Sequence, residues 1–294
     1  MTKRLHPSPP TLVADEAALR ELVARLRDEP VVAFDTESNS FHAYRERICL
    51  LQVSSRAQDW IVDPLAVHPG PLGEVLCDGR VTVLHGADYD VRCLRREWGW
   101  RLPRLFDTMA AARRLGRTAL GLAALVEQQF EVRLSKSFQR ADWGRRPLGA
   151  DLLTYAALDT HYLLPIHDAL AAELGAKGLA EEARREFDRI AAVEPRERVF
   201  DPEGWRRLKG ARELDPAGRQ VLRALWIARE ERARGDDRPP FKVLGEQQLV
   251  EIARRRPVGE AALSAIPGVT PAVLRRMRAA IAAALEAVAA PRTG

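Results

Sequence analysis

The sequence predicts an α/β domain that is followed by a small all-helical domain. An apolar run at residues 31–34 has the pattern of a strand covered on both faces. Further strand patterns follow it, and helical periodicity then prevails over residues 107–174. After a connection that contains Pro195 and Pro202, helical patterns restart at residue 219. Strands followed by helices are typical of an α/β sheet domain.

The elements of the first domain follow one another along the chain. Residues 15–27 carry apolar side chains at the i, i+3, i+4, i+7 spacing of an amphipathic helix, and Asp15 is suited to cap it. The next segments predict strands and short helices, with strands at 31–34, 48–54, 59–63 and 81–85 and helices at 72–77 and 88–98. Because the first three strands succeed each other directly, we expect them to form a meander.

The helical part of the first domain is interrupted at identifiable points. The pattern from residue 107 to 174 breaks near Gly116 and Gly121 and at a polar loop over residues 133–146, and one further helix covers residues 181–190. In the second domain the predicted helices cover residues 219–233, 246–255, 260–266 and 272–288. We therefore place the two domains at residues 1–194 and 214–290, with a linker at residues 195–213.

Composition excludes several classes of protein. No stretch of 18 apolar residues and no apolar segment after the basic N-terminus is present, so we expect neither a membrane span nor a secretory signal, and a cytoplasmic location. The three cysteines lack metal-ligand spacing, which argues against a zinc site. Residues 201–294 carry 18 Lys and Arg against 12 Asp and Glu, whereas residues 1–200 carry 28 against 29. The basic excess of the last third indicates a polyanionic partner.

Two acids follow the first buried strand. Asp35 and Glu37 alternate about Thr36, so in extended backbone both side chains lie on the same face. Two like charges held this close are stable when they are solvated, protonated or bound to a cation. Hard divalent ions such as Mg²⁺ favour such carboxylates together with water and phosphate oxygens. A solvated strand end is the alternative interpretation of this pair taken alone.

Further acids stand at the starts and faces of two predicted helices. Asp88 is expected to cap the helix that begins there, and Asp90 lies in its first turn, pointing towards the ends of neighbouring strands. Tyr155 and Asp159 are four residues apart and so share one helix face. Because apolar residues occupy the same face, we expect Asp159 to point into the structure, where an acid needs a partner.

The four acids and the tyrosine match, in order and spacing, the signature of the proofreading-type 3′→5′ exonucleases. Residues 136–148 and 155–166 resemble ribonuclease D and its relative in the nuclear exosome. Residues 214–290 resemble the HRDC domain that ribonuclease D shares with RecQ-type helicases. The resemblance covers nearly the whole chain and implies a ribonuclease H-like mixed sheet flanked by helices, followed by an HRDC domain. Phe138 departs from it, at a position where the family is expected to carry a polar residue.

The resemblance implies a 3′→5′ exoribonuclease that trims precursor tRNA and other structured RNAs and releases 5′-mononucleotides. Its cofactors would be two divalent ions, Mg²⁺ or Mn²⁺, which activate the attacking water and stabilise the leaving 3′ oxygen. Asp35 would bridge both ions, Glu37 and Asp159 would hold the ion beside the water, and Asp90 would support the other. Tyr155 would orient the water, because a hydroxyl with a pKa near 10 is a poor base at neutral pH.

Five cations and a tryptophan stand in the polar loop before the helix of Tyr155: Arg133, Lys136, Arg140, Trp143, Arg145 and Arg146. In isolation such a segment is a solvated loop. Next to a phosphodiester site it predicts a funnel for the RNA backbone, with an aromatic side chain available for stacking.

Two other functions remain open at this level. One is a 3′→5′ DNA exonuclease on the same fold, since the sequence does not show whether the 2′-hydroxyl is read. The other is a catalytically weak protein that binds RNA through the HRDC domain. The presence of all four acids and the tyrosine favours the exoribonuclease. We expect its partners to be tRNA precursors and single-stranded 3′ ends. We expect the protein to be a monomer that has no obligate protein partner and does not associate with a membrane.

Overall fold

The computed structural model describes residues 8–135, 137–195 and 199–289. The chain divides into two units, one within Met1–Asn39 and Arg47–Arg196 and the other within Ser40–Glu46 and Glu197–Gly294. The second unit thus includes a short segment that follows the first pair of acids. Among the helices that the structure describes, none is long and apolar enough to cross a membrane.

A six-stranded mixed sheet forms the centre of the first unit, which confirms the predicted fold class. Its strands are β1 (Thr11–Val13), β2 (Val31–Ser38), β3 (Ile48–Ser54), β4 (Asp59–Val62), β5 (Val81–Leu84) and β6 (Arg104–Asp107), in the order β1-β4-β3-β2-β5-β6. The predicted meander is present, because β2, β3 and β4 pair antiparallel in succession. β2 also pairs parallel with β5, so the strand that carries the first two acids lies inside the sheet.

The two outermost strands were not predicted. β1 has three residues and β6 has four, which is too short for an alternation of apolar and polar residues to be visible. Each pairs on one side only, parallel to β4 and to β5 respectively. Their own residues therefore do not identify them as strands. Only their pairing with β4 and β5 in the folded sheet does.

Eight helices surround the sheet within the described part of the first unit: α1 (Glu16–Leu26), α2 (Gly70–Leu76), α3 (Asp88–Trp98), α4 (Thr108–Arg114), α5 (Leu122–Phe130), α6 (Ala150–His161), α7 (Leu163–Ala176) and α8 (Ala180–Ala191). The prediction for α1 is confirmed in detail. The Asp15 carboxylate accepts a hydrogen bond of 2.9 Å from the Ala18 amide, and the apolar side chains of the predicted stripe are buried.

The cap of α3 differs from the prediction. Asp88 is the first residue of the helix, Ala87 is the N-cap, and no side chain of either residue caps it. Asp88 instead accepts two hydrogen bonds from Arg92, one turn further on. The amides of Gly86 and Ala87 donate to the Asp107 carboxylate at 3.1 and 2.8 Å. An acid from the end of β6 therefore holds the turn that leads into α3, and Asp88 is not the cap that the sequence predicted.

The second unit is helical, with α9 (Pro216–Gly235), α10 (Pro240–Val243), α11 (Glu246–Arg255), α12 (Gly259–Ser264) and α13 (Pro271–Ala289). Asp215 caps α9 through a hydrogen bond of 2.7 Å from the Gly218 amide. Its core is formed by apolar side chains that include Val221, Leu225, Leu249, Ile252, Met277 and Ile281. Two 3₁₀ turns, Gly204–Arg207 and Ala211–Glu213, precede α9, and Trp205 belongs to the same core. Part of the segment that we assigned to the linker is thus folded, and the domain limits stay a prediction.

Residues 40–46 are held within the second unit by polar contacts. The Tyr44 hydroxyl donates a hydrogen bond of 2.5 Å to Glu230 on α9. The amides of Tyr44 and Arg45 donate to the Asp237 carboxylate at 3.1 and 2.9 Å. The Tyr44 ring also packs against the helical core.

Candidate active site

Strand β2 carries Asp35 and Glu37 on the face that α6 covers. The residues before them, such as Phe34, are fully buried, because the strand lies inside the sheet. Asp35 stands opposite Gln52 and Glu37 opposite Leu50 in the antiparallel pairing with β3. Helix α6 packs on β2, β3 and β4. The predicted alternation of the two acids along an extended strand is therefore present in the structure.

Asp90 reaches the same region from the first turn of α3. Its residue is 5% exposed, and its carboxylate accepts a hydrogen bond of 2.5 Å from the hydroxyl of Thr36. Thr36 lies between the two acids of β2 along the chain. This hydrogen bond links the start of α3 to the strand, so Asp90 points towards the strand ends, as the sequence indicated.

Helix α6 contributes Tyr155 and Asp159 and is fixed to the sheet by two polar contacts beyond them. The hydroxyls of Ser54 and Thr160 lie 2.7 Å apart, and His161 Nδ1 lies 2.8 Å from the Asp59 carboxylate. Both members of the second pair are almost fully buried. His161 is therefore bound in a structural contact, and the helix face with Tyr155 and Asp159 is held over the acids of β2.

Burial raises the pKa values of all four acids, and repulsion by other members of the group raises those of Asp35 and Glu37 further. Burial raises the pKa of Asp35 well above its ordinary value, and Asp90, Asp159 and Glu37 raise it further. The pKa of Glu37 rises to about 8, chiefly through burial and then through Asp159 and Asp90. Burial raises the pKa of Asp159 to about 7. Because Asp90, Asp159 and Glu37 all act on Asp35, the four acids form one cluster, in which Glu37 keeps its proton at neutral pH.

The pKa of Asp90 is raised less than those of its neighbours. Burial raises it to about 6, and the hydrogen bond from Thr36 acts in the opposite direction because it stabilises the charged carboxylate. Asp90 is therefore the member of the cluster for which the fold itself supplies a partner.

The cluster fits a divalent cation by its chemistry. Its four carboxyl groups are the hard oxygen donors that Mg²⁺ and Mn²⁺ prefer, and a cation would lower the pKa values that burial has raised. Within the part of the chain that the structure describes, no three His, Cys, Asp or Glu side chains are arranged to hold a metal ion. The carboxylate of Asp90 is hydrogen-bonded to Thr36.

Two aromatic rings hold the ring of Tyr155. Phe138 meets it edge-on, with ring centroids 5.5 Å apart and planes at 76°. Trp143 lies nearly parallel to it, with centroids 6.4 Å apart and planes at 24°. Burial, followed by the charges of Asp159, Glu37 and Asp35, raises the pKa of Tyr155 to about 12. Its hydroxyl therefore keeps its proton at neutral pH.

The structure contradicts the predicted RNA-binding role of two residues, Trp143 and Arg146. Trp143 is 2% exposed and packs between the sheet and α6, so no nucleobase can stack on it. Arg146 forms a bidentate ion pair with Asp63 at 2.6 and 2.7 Å and donates further hydrogen bonds to the carbonyls of Cys49 and Trp143. With these acceptors its guanidinium holds the loop against β3 and β4 and is not available to phosphate.

The remaining cations of the loop differ in what the structure shows. Arg133, Arg140 and Arg145 are exposed, and Arg133 forms an ion pair of 2.8 Å with Glu127. Lys136 lies outside the described residues. These exposed arginines precede the helix of Tyr155 in the chain, and the funnel for the RNA backbone stays a prediction.

Sequence reasoning missed an aromatic residue beside the acids. Tyr89 precedes Asp90 on α3, is 43% exposed, and its hydroxyl lies 2.5 Å from that of Ser38 at the end of β2. Its ring is exposed, whereas that of Trp143 is buried. The available signal was its position between two acids, at the start of a helix that follows a buried strand.

Comparison with known families gives two matches in this chain. Residues 10–175 match the family described as 3′-5′ exonuclease. Residues 218–285 match the HRDC domain.

Two proteins and one crystal structure show the extent of the similarity. Ribonuclease D of Pseudomonas paraeruginosa is 35% identical over 270 residues, which cover 90% of this chain and 70% of that protein. Protein RRP6-like 2 of Arabidopsis thaliana is 33% identical over 268 residues, so the chain spans about a third (31%) of the length of that relative. The crystal structure of Escherichia coli RNase D, described as an exoribonuclease involved in structured RNA processing, aligns with a TM-score of 0.70 at 30% identity, covering 96% of this chain and 76% of that one.

Proposed function

The chain belongs to the ribonuclease D family of 3′→5′ exonucleases, and from this premise we propose that it removes nucleotides one at a time from the 3′ end of RNA. The observation that carries the proposal is the cluster of four acids, one buried and three half-buried, whose members Asp159, Glu37 and Asp35 act on Tyr155. Their raised pKa values indicate a site suited to a positively charged occupant. The product would be a 5′-mononucleotide.

We propose that the acid cluster, Asp35, Glu37, Asp90 and Asp159, holds two divalent ions, Mg²⁺ or Mn²⁺. Bound ions of this kind lower the pKa of the attacking water and stabilise negative charge on the leaving 3′ oxygen. The raised pKa values of these carboxyl groups in the absence of a cation support this assignment. On loading, the protons of Glu37 and Asp159 would be released to solvent, so occupation of the site depends on pH.

Tyr155 would act as a hydrogen-bond donor through its hydroxyl group. Its pKa of about 12 makes it a hydrogen-bond donor at neutral pH and a poor base, so it orients the attacking water or a phosphate oxygen. The contacts with Phe138 and Trp143 restrict the ring, and a donor that is already in place costs no reorganisation during the reaction. Phe138, the departure from the family pattern, thus supports the tyrosine.

RNA would be held by two sets of residues. In the first unit, the exposed side chains of Arg140 and Arg145 would contact phosphates, and the exposed ring of Tyr89 would stack on a terminal base. The basic excess of residues 201–294 gives the second unit an attraction for polyanions. We propose tRNA precursors and other structured RNAs with single-stranded 3′ ends as substrates. This agrees with the role named for the Escherichia coli relative.

The test uses three labelled substrates, namely a tRNA with a 3′ extension, single-stranded RNA and single-stranded DNA, each with Mg²⁺, Mn²⁺ or EDTA. We expect metal-dependent release of 5′-mononucleotides from the RNAs, and loss of activity in Asp35→Asn and Asp159→Asn. Asp151→Asn, an exposed acid on the same helix as Asp159, is the matched control. Faster hydrolysis of DNA would make the protein a DNA exonuclease. RNA binding without hydrolysis under any condition would leave only a binding function.

A further inference from the structure

Gln52 is a fully buried amide in the middle of the sheet. It lies on β3, and the antiparallel register places it directly opposite Asp35 on β2 and opposite Ile61 on β4. Residues opposite each other in an antiparallel pair have side chains on the same face, with Cβ atoms about 4.5–5.5 Å apart. Gln52 therefore lies beside Asp35 on the face that α6 covers.

The amide of Gln52 has no partner in the described part of the chain. Neither its nitrogen Nε2 nor its oxygen Oε1 makes a hydrogen bond, although both are shielded from solvent. The next polar residue on the same face, Ser54, is already engaged with Thr160. Buried polar groups are nearly always hydrogen-bonded, so an amide with two free groups in a central strand needs an explanation.

The surroundings of Gln52 leave one direction for its polar end. Ile61 flanks it on the β4 side, and the apolar cluster under α6 contains Ile61, Ala156 and Ala157. None of these side chains can accept or donate a hydrogen bond. The polar side chain that the register places next to Gln52 is Asp35. An amide N–H that faces a carboxyl group across neighbouring strands can donate to it.

We propose that Gln52 is a positioning residue: when a divalent cation occupies the proposed site, Nε2 of Gln52 would donate a hydrogen bond to the Asp35 carboxylate and so fix its orientation. The inference rests on the proposed function, since it assigns a partner within the proposed site. An ionised carboxylate has about four lone-pair positions, so Asp35 can accept from Gln52 and still bind metal. Outer hydrogen-bond partners of metal-binding side chains commonly change metal affinity or activity by about 10- to 100-fold when they are removed.

The test replaces the amide without changing the volume of the side chain. Gln52→Met keeps the length of the side chain and removes both polar groups. We expect kcat on single-stranded RNA to fall by about 10- to 100-fold while KM changes less than about twofold, because the hydrogen bond acts on the reacting centre. The rise in unfolding temperature on addition of Mg²⁺, which does not depend on turnover, should be smaller than in the wild type.

Thr82→Val is the matched control. Thr82 is also fully buried, and its hydroxyl has no partner in the described chain, but it lies on β5 opposite Val32. Both substitutions remove an unpartnered buried group, so both metal-free proteins should be at least as stable as the wild type. Only Gln52→Met should lose kcat and the Mg²⁺ response.

The outcomes separate this inference from the proposed function. If the wild type hydrolyses RNA and Gln52→Met has wild-type kcat and a wild-type Mg²⁺ response, Gln52 does not position Asp35. The same conclusion follows if Thr82→Val loses as much activity as Gln52→Met. If the wild type neither hydrolyses RNA nor responds to Mg²⁺, the proposed function itself fails. Gln52→Leu, measured alongside, shows whether the result depends on the thioether of methionine.

Discussion

The Thr36 hydroxyl donates a hydrogen bond of 2.5 Å to the Asp90 carboxylate, and both residues are less than 10% exposed, at 7% and 5%. The contact joins the central strand β2 to the first turn of α3. It also lowers the pKa of Asp90 against the effect of burial. The hydroxyl of Thr36, which lies between Asp35 and Glu37 in the sequence, thus holds Asp90 in position and favours its charged form.

We expect Thr36→Val to reduce kcat by about 10-fold or more, in the range of outer hydrogen-bond partners of metal-binding carboxylates. Valine has nearly the same shape and suits a strand, so the fold should persist, but the pKa of Asp90 should rise. The activity should therefore be lost most strongly on the acidic side of the pH profile, and Thr36→Ser should restore it. Equal losses for valine and serine would show that packing, and not the hydroxyl, is required.

The raised pKa values predict that the metal-free protein loses stability as the pH rises from about 4.5 to about 8. The ordinary value of Glu37 is 4.5 and its folded value is about 8, so between these limits the unfolded chain has released a proton that the folded chain keeps. Stability then falls with pH, by at most about 1.4 kcal/mol per pH unit for each such group. Below pH 4.5 Glu37 is protonated in the folded and in the unfolded chain, so the loss of stability that this residue causes is absent there. Thermal unfolding in EDTA across this range measures it.

Two controls belong to the pH experiment. Glu37→Gln should make the profile in EDTA flatter, because it removes the group with a folded pKa of about 8. Saturating Mg²⁺ should raise the unfolding temperature most at the alkaline end, where the carboxylates bind metal without first releasing protons. A wild-type profile in EDTA that is flat from about pH 5 to about pH 8 would contradict the raised pKa of Glu37.

The local part of the site could be predicted from the sequence. The alternation of Asp35 and Glu37 depends on the period of a strand, and the common face of Tyr155 and Asp159 depends on the period of a helix. Both periodicities are properties of neighbouring residues. The burial of the apolar stripe on α1 followed for the same reason.

The parts that sequence reasoning missed depend on contacts between distant residues. Trp143 is buried because Arg146 fixes its loop to Asp63, 83 residues away. The amides that lead into α3 are bound by Asp107, because β6 ends beside the start of α3. The pairing of Asp35 with Gln52 requires the register of two strands. The local period of the sequence determines none of these three contacts.

Tyr155→Phe tests the role of the tyrosine hydroxyl. We expect turnover to fall by about 10²-fold, the effect of removing one donor that acts in the transition state, while the Kd for RNA stays within about twofold. The ring remains between Phe138 and Trp143, so stability should be unchanged. Tyr162→Phe, which removes a hydroxyl just beyond the same helix, is the control and should keep full turnover. Full turnover in Tyr155→Phe would make Tyr155 a packing residue.

Two adjacent arginines of the polar loop should behave in opposite ways. Arg145 is exposed, so Arg145→Ala should weaken RNA binding without changing stability, and the slope of log K against log salt should fall by about 0.7 for each phosphate that the side chain had neutralised. Arg146→Ala leaves the carboxylate of Asp63 buried and unpaired, which should cost about 3 kcal/mol or more of unfolding free energy. RNA binding across a salt series and thermal unfolding of both variants distinguish the two roles. An unfolding temperature of Arg146→Ala equal to that of the wild type would show that the ion pair of Arg146 with Asp63 does not stabilise the fold.

The last prediction concerns the basic second unit, where four arginines line a cavity of about 490 Å³ beside Trp205: Arg206, Arg207, Arg212 and Arg219. Arg207 is paired with Asp201, whereas the guanidinium of Arg212 forms no ion pair with any residue that the structure describes. A free guanidinium among other cations is the best placed to bind phosphate. We expect Arg212→Ala in the full-length chain to weaken binding of a tRNA with a 3′ extension and to make the salt slope shallower by about 0.7 to 0.9.

The control for Arg212 must remove one positive charge elsewhere in the same unit. Arg232 is paired with Asp236 in the last turn of α9, and Arg219 of the cavity lies in the first turn. At about 1.5 Å per residue, these two ends of the helix are about 20 Å apart. Hydrolysis of a short single-stranded RNA should be the same in both variants, because every acid of the proposed site precedes residue 160. If Arg212→Ala and Arg232→Ala have equal salt slopes, general charge, and not the cavity, attracts the RNA.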